Sequence, residues 1–261
     1  MPADAALPRR DRVVISICLA SITALAWAYL VQLNRQMSSS VDYDTMMANM
    51  GMTTNTPWSV ADVVFTFAMW AVMMVGMMAG SAAPVLFLFA AARARRGESG
   101  VQLAVLMFGL GYVAVWVGFS AGAALAQRVL HQTAMLSPAM KTSSPYLAGS
   151  ILIAAGAYQW TPWKGACLTQ CRSPLGFVMT NWRDGQLGAL RMGAHHGAYC
   201  LGCCWALMCV LFVVGVMNLV WVAALTGFVL LEKIGPVGSI LARVAGAAMV
   251  IAGILVIATK V

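Results

Sequence analysis

The sequence predicts an all-α polytopic membrane protein, a single bundle of six transmembrane helices with seven as the alternative count. Of its 261 residues, 61% are hydrophobic and 9% charged, whereas soluble domains have roughly 45–50% apolar and about 25% charged residues. Apolar stretches recur along the chain, and each can cross a hydrocarbon core of roughly 30 Å as a helix. Short strands that alternate apolar and polar residues are absent, which excludes an outer-membrane barrel.

The apolar stretches divide the whole chain, so residues 1–261 are expected to form one transmembrane domain. The expected spans are residues 13–33, 57–91, 101–129, 146–160, 197–232 and 237–259. As one helix, the fifth stretch would be about 54 Å long. We favour one long, tilted or kinked helix over two short ones, because Asn218 is the only clearly polar residue near its middle.

Basic residues indicate the orientation in the membrane. Arginines cluster at residues 9–12 and 93–96, so the positive-inside rule predicts a cytoplasmic N-terminus and a cytoplasmic loop after the second span. The polar stretch at residues 161–195 is then also a cytoplasmic loop, and it contains two cysteines. The first span is longer than a usual signal-peptide core, so it is expected to remain as an anchor. The net charge of +8 belongs to these loops, and we expect a lipid bilayer and no nucleic acid as a partner.

Two further patterns concern helix packing and helix ends. Glycines spaced four apart fit close contacts between helices in lipid, and they occur at Gly76 and Gly80 and at Gly118 and Gly122. Glu232 and Lys233 follow an apolar stretch, and we expect them to anchor a helix end at the membrane interface.

Soft metal ligands carry most of the chemical information, since the chain has 19 methionines and seven cysteines. Cys200, Cys203 and Cys204 have i, i+3, i+4 spacing, so a helix places their thiols on one face. His196 lies one turn before Cys200, and Met208 lies one turn after Cys204. Imidazole, thiolate and thioether ligands suit Cu(I) and Zn(II) but suit Mg(II) and Ca(II) poorly.

A second pair of cysteines, Cys167 and Cys171, has i, i+4 spacing within the predicted loop. Both cysteine groups also have a purely structural interpretation, since cysteine is a small apolar residue that packs well. Structural disulfides are a weaker explanation, because the predicted cytoplasmic location is reducing.

The second predicted span carries a methionine stripe, which consists of Met69, Met73, Met74, Met77 and Met78. Thioethers bind Cu(I) without losing a proton, so Met73 and Met77 are candidate ligands that pass an ion along the helix. Packing is the alternative, because methionine also fills irregular cores. Four more methionines at residues 46–52 form either an extracytoplasmic capture patch or an amphipathic segment on the bilayer.

The residues around the cysteines resemble a known family. WTPWKGACLTQCRSPLGF at residues 160–177 and GAHHGAYCLGCCWALM at 193–208 resemble bacterial predicted metal-binding integral membrane proteins (domain of unknown function 2182), and the resemblance continues through residues 216–221 and 231–233. It implies a bacterial inner-membrane location and metal binding, but no settled activity. The residues that match the family pattern are Cys167, Cys171, His196, Cys200, Cys203 and Cys204.

Two functions from different classes follow. The favoured one is a protein that handles a soft ion, with Cu(I) favoured over Zn(II), for transport or for exchange with a metal-donor or metal-acceptor protein. The alternative is a thiol-disulfide redox protein, in which the pair of Cys167 and Cys171 and the pair of Cys200 and Cys203 exchange disulfides. Residues 200–203 then form a C-x-x-C pair at a helix start, where the helix dipole lowers a thiol pKa. A structural subunit of a membrane complex is a third interpretation. Enzyme signatures such as H-E-x-x-H and the Walker loop are absent, so we expect a non-enzymatic role.

Overall fold

The computed structural model describes residues 7–49, 58–133, 135, 142–235 and 237–259, with the backbone alone for residues 38–45 and 47–49. Over these ranges the chain is almost entirely helical. The helices are α1 (Arg9–Asn49), α2 (Val60–Arg95), α3 (Val101–Gln132), α4 (Pro145–Tyr158), α5 (Pro162–Arg172), α6 (Pro174–Thr180), α7 (Gly185–Cys209), α8 (Leu211–Val214), α9 (Leu219–Ile234) and α10 (Gly238–Ala258).

Five helical segments within the described residues are long and apolar enough to cross a membrane. They are Arg9–Met37, Val60–Arg95, Val101–Gln132, Gly185–Val214 and Gly238–Ala258. The predicted all-α polytopic class is therefore confirmed. The fourth expected span corresponds to α4, whose 14 residues make a helix of only about 21 Å. That length is shorter than a typical hydrocarbon core, so α4 does not match the full span that we predicted.

The apolar stretch at residues 197–232 is not one long helix, so that prediction is wrong. α7 begins at Gly185 and ends at Cys209. Gly215 adopts φ +101°, a backbone conformation that favours glycine, and the chain turns there. Asn218 then caps α9, because its side chain accepts a hydrogen bond from the Trp221 backbone N–H at 3.4 Å. A glycine and a capping asparagine together break the stretch, although the asparagine alone looked too weak to do so.

The segment at residues 161–195 is mostly helical, whereas we predicted a polar loop. It contains α5, α6 and the first turns of α7. Pro162 and Pro174 lie in the first turns of α5 and α6, where proline is compatible with a helix. The Thr161 side chain accepts a hydrogen bond from the Lys164 backbone N–H at 3.3 Å and so caps α5.

Glycines bring α3 and α7 into close contact. A Cβ atom at Gly193 of α7 would collide with the Phe108 carbonyl oxygen of α3, and one at Gly111 would collide with the Leu190 carbonyl oxygen. Such close approach requires residues without side chains at the crossing.

The predicted glycine pairs have a mixed outcome. A Cβ atom at Gly76 would lie 3.2 Å from the Ala26 Cβ atom, so this residue does face another helix closely. Gly118 and Gly122 have no described atom within 4 Å of such a Cβ, so the prediction is wrong for that pair. Close contact between α4 and α10 instead uses glycines seven residues apart on each helix, namely Gly149 and Gly156 with Gly246 and Gly253.

Two expectations fall partly outside the described residues. Pro57, where we expect the second span to begin, is not described, and α2 begins at Val60 after the N-cap Ser59. In the proposed capture patch at residues 46–52, the structure describes the side chain of Met46 alone, which is exposed.

Candidate metal centre

Three cysteines on α7 form the centre of the candidate site. Cys200, Cys203 and Cys204 are at most 1% exposed and belong to the main core of the bundle. The thiols of Cys203 and Cys204 donate to the Cys200 carbonyl oxygen at 3.1 and 2.8 Å. Because α7 begins at Gly185, these residues lie in the middle of a long helix. The predicted location at a helix start is therefore wrong, and the dipole argument for the redox alternative is lost.

α5 adds a fourth thiol. The Cys171 sulfur lies 4.0 Å from the Cys203 sulfur, although the two residues are 32 positions apart. α5 lies outside the five candidate spans. Hydrogen bonds with the sulfur atoms of Cys200 and Cys203 raise the pKa of the Cys171 thiol well above its usual value. We call Cys171, Cys200, Cys203 and Cys204 the thiol cluster.

Cys167 flanks this cluster from one turn earlier on α5. A Cβ atom at Gly202 of α7 would lie 2.7 Å from the Cys167 sulfur, so this thiol packs directly against the α7 backbone. Burial raises the pKa of the Cys167 thiol above its usual value. The structure thus packs the Cys167 thiol against the backbone of α7, the helix that carries Cys200, Cys203 and Cys204.

The separation of the Cys171 and Cys203 sulfur atoms fits a shared soft ion. With metal–sulfur bonds of about 2.3 Å, two sulfur ligands lie about 3.8 Å apart in a tetrahedral site and about 4.6 Å apart in a linear one. The observed 4.0 Å lies between these limits.

Within the described ranges, no group of three or more His, Cys, Asp or Glu side chains is arranged to hold a metal ion.

Polar groups that the sequence analysis missed surround Cys200. The Lys233 ammonium lies 2.9 Å from the Cys200 sulfur and donates to the Ser81 hydroxyl oxygen at 3.2 Å. The Tyr112 hydroxyl oxygen lies 3.0 Å from the same sulfur. Crowded thiolates need a neighbouring positive charge, and Lys233 supplies one from the chain itself.

Glu232 is also buried, and it pairs with a residue from the predicted loop. Its carboxylate lies 2.5 Å from the Lys164 ammonium, with both side chains 2% exposed. Lys164 also donates a hydrogen bond to the Gln159 side-chain oxygen. Glu232 and Lys233 lie in the last turn of α9, at a helix end as expected of an anchor, but their side chains are buried against other helices. Adjacent charges after an apolar stretch are typical of such an anchor, and nothing in the local sequence pairs them with distant helices.

His196 is placed beside the thiol cluster, among aromatic rings. Its ring packs on Phe108, Tyr112 and Phe177, with centroid separations of 6.2, 5.9 and 4.9 Å. Its Nδ1 atom is buried and has no hydrogen-bond partner among the described residues. Met208, one turn beyond Cys204, is fully buried in the same core.

The methionine stripe on α2 reaches the neighbourhood of the cluster. Met73 and Met77 are buried, and Ser81 follows one turn after Met77 on the same helix face. The Ser81 hydroxyl oxygen lies 3.9 Å from the Cys200 sulfur. Tyr112 connects the two regions, because its hydroxyl donates to the Met78 carbonyl oxygen at 3.3 Å and also contacts Cys200.

Comparison with known proteins places the chain in a copper-related family. A family model described as PpoB2, copper chaperone, matches residues 67–256, nearly three quarters of the chain. No curated protein and no solved structure matches. The matched range contains the thiol cluster, the methionine stripe, and the Lys164, Glu232 and Lys233 side chains. The sequence favours a protein that handles Cu(I), and the matched family is also related to copper. The name of the matched family differs from that of the family that residues 160–233 resemble. The chain belongs to the PpoB2 family of copper chaperones.

Proposed function

We propose that the protein binds Cu(I) at the thiol cluster inside a helical membrane bundle and delivers it to a metal-accepting membrane protein. One observation carries this proposal: a half-buried thiol of α5 meets a buried thiol of α7, with the Cys171 and Cys203 sulfur atoms 4.0 Å apart. The copper chaperone family supports copper as the cargo. Thiolates are soft ligands, and they favour Cu(I) among the available metal ions.

The contact geometry supports Cu(I) over Zn(II) as the cargo. Cu(I) accepts two thiolate ligands, which the pair of Cys171 and Cys203 offers, whereas structural Zn(II) sites take four ligands. The Lys233 ammonium lies 2.9 Å from the Cys200 sulfur and repels a bound cation. This repulsion weakens retention, which suits a carrier that releases its cargo.

The other candidate ligands surround this site in the proposal. Met73 and Met77 lead along α2 toward Ser81, so they are the proposed entry route for Cu(I). Met208, His196 and Cys167 lie within one or two turns of the thiol cluster, and we propose them as accessory ligands during transfer.

Replacing two central thiols tests the proposed copper site. Changing Cys171 and Cys203 together to Ser should abolish stoichiometric Cu(I) binding, because it removes the two thiols that are the proposed ligands of the ion. The fold should persist, since a serine hydroxyl at position 203 can donate to the Cys200 carbonyl oxygen, as the Cys203 thiol does. The measurement is the metal content of protein purified under reducing conditions and offered Cu(I) or Zn(II).

The matched control is the variant Cys18→Ser/Cys209→Ser, because these two cysteines lie outside the thiol cluster. It should retain full copper content. Full copper content in the Cys171/Cys203 variant, or no binding of either metal by the unaltered protein, would refute the proposed site.

We further propose that the protein resides in the bacterial inner membrane with a cytoplasmic N-terminus. The arginines at residues 9–12 and 93–96 support this orientation through the positive-inside rule. Reporter fusions at Gly97 and Gly185 should therefore report the cytoplasm, and a fusion at Ser143 should report the outside. A cytoplasmic signal from the Ser143 fusion would contradict the orientation.

A further inference from the structure

The last turns of α9 contact both helices that contribute thiols. Glu232 pairs with Lys164 of α5 at 2.5 Å, and the adjacent Lys233 lies 2.9 Å from the Cys200 sulfur of α7. Two neighbouring residues on one helix end thus reach two different cysteine-bearing helices. The end of α9 therefore joins α5 to α7, two helices that also contact each other directly.

α5 is attached to this region at both of its ends. Lys164 lies in its first turn, and Arg172, its last residue, donates to the Gly235 carbonyl oxygen at 2.9 Å. A helix of 11 residues is too short to be stable by itself, so tertiary contacts decide where it lies. Cys171 directly precedes Arg172, and its position depends on these attachments.

Stability alone does not explain the buried pair of Lys164 and Glu232. Burying two charges sacrifices their hydration, and a well-packed apolar pair of similar size often holds two helices as well or better. An ion pair differs from an apolar contact because it requires a defined separation and direction between its groups. This pair lies two turns along α5 from Cys171. It therefore constrains how α5 is rotated about its own axis and how far it lies along that axis, and so where the Cys171 thiol lies.

We propose that Lys164 and Glu232 are positioning residues for the copper site, and that their ion pair holds α5 where the Cys171 sulfur reaches Cys203. The inference rests on the proposed function, since it gives Cys171 a part in holding the Cu(I) cargo. The placement of Cys171 is nevertheless measurable without copper.

The first test measures that placement as a cross-linking rate. The full chain keeps Cys171 and Cys203 while its five other cysteines are changed to Ser. In native membranes without copper, diamide takes up the two thiol hydrogens as the two sulfur atoms form a disulfide. Loss of labelling by a maleimide polymer reports the rate.

The decisive variant is Lys164→Met/Glu232→Leu, which removes both charges of the pair. We expect this variant to insert into the membrane and to have an unfolding temperature equal to or above that of the parent. We nevertheless expect its disulfide to form at least about tenfold more slowly. The exchanged pair Lys164→Glu/Glu232→Lys should recover most of the rate, which an effect on bulk packing would not produce. Cross-linking of the apolar variant at the parental rate would overturn the positioning role.

A matched control uses the exposed pair of Arg96 and Asp184, whose charged groups lie 3.7 Å apart. The variant Arg96→Met/Asp184→Leu should cross-link at the parental rate, because these two side chains pair with each other and contact Trp182, which is not part of α5. Equal slowing in this control and in the apolar variant would also overturn the proposal, since the effect would then not be specific to α5.

The second test uses the native cysteines and Cu(I). The apolar variant and Cys171→Ser should each lower Cu(I) affinity about tenfold, and the combined variant should lose no more than either one. Additive losses would overturn the positioning role. A different result would concern the proposed function instead. If the apolar variant cross-links more slowly but Cys171→Ser leaves the Cu(I) affinity unchanged, Cys171 is not a ligand of the Cu(I) cargo.

Discussion

Cys200, Cys203 and Cys204 on α7 and the methionine stripe on α2 each share one helix face and pack in the same core, but they differ in their polar neighbours. Met73 and Met77 are buried in a core that includes Trp70 and Trp116. The three cysteines of α7 lie in the same core but also have polar neighbours, since the Lys233 ammonium and the Tyr112 hydroxyl contact the Cys200 sulfur. Spacing therefore identifies residues that share a helix face, whereas their chemistry depends on the helices that cover that face.

The largest expected effect comes from separating α7 from α3, because Tyr112 of α3 contacts the thiol cluster across this interface. Gly193→Ala places a Cβ atom against the Phe108 carbonyl oxygen, a backbone atom that cannot move by a side-chain rotation. We expect destabilisation at or above the upper end of about 1–3 kcal/mol, with loss of Cu(I) binding. Thermal unfolding and metal content measure these effects.

Gly118→Ala is the matched control for this change, because no described atom lies within 4 Å of the added Cβ. It should fold and bind copper like the parent. Equal stability of the Gly193 and Gly118 variants would contradict the close α3–α7 contact.

An intermediate effect should distinguish transfer from packing in the methionine stripe. Met73→Leu/Met77→Leu conserves volume, so it should cost less than about 1.5 kcal/mol of folding free energy. If the stripe is the entry route, copper stoichiometry should persist while the rate of copper uptake falls several-fold. Met179→Leu, at an exposed methionine outside the stripe, is the control. Unchanged uptake in the double variant would assign the stripe to packing alone.

The smallest expected effect comes from Tyr112→Phe, which removes the hydroxyl that connects the two regions. The ring remains, so the fold should persist. The loss of hydrogen bonds worth about 1 kcal/mol in total should change Cu(I) affinity by about fivefold at most, which a competition titration with a Cu(I) chelator measures. An affinity change beyond tenfold would show instead that the Tyr112 hydroxyl is a principal determinant of the site.

Local patterns predicted the helical membrane class and the ligand chemistry well. The apolar runs located most of the spans, since a hydrocarbon core sets their length. The i, i+3, i+4 spacing of Cys200, Cys203 and Cys204 identified residues that the structure buries together. The break at Gly215 and Asn218 was missed because each residue alone is a weak signal, and the two act together as a turn and a cap.

The partners of the cysteines could not be predicted in this way. Lys233 and Glu232 looked like an interfacial anchor, because their sequence neighbours are an apolar helix and a glycine. Their actual partners, Cys200 and Lys164, lie 33 and 68 positions away. Similarly, the glycines at Gly193 and Gly111 have no local pattern that marks them as the α3–α7 contact.

Composition and periodicity thus determined the class of protein and the face on which the soft ligands lie, because both follow from hydrogen bonding and apolar burial within single helices. Tertiary structure decided which thiols meet and which charges accompany them. The contact between Cys171 and Cys203 exists because α5 folds back onto α7 and α9, and the pair of Lys164 and Glu232 joins residues on separate helices. Such contacts depend on packing between distant segments, which the spacing of residues along one helix does not encode.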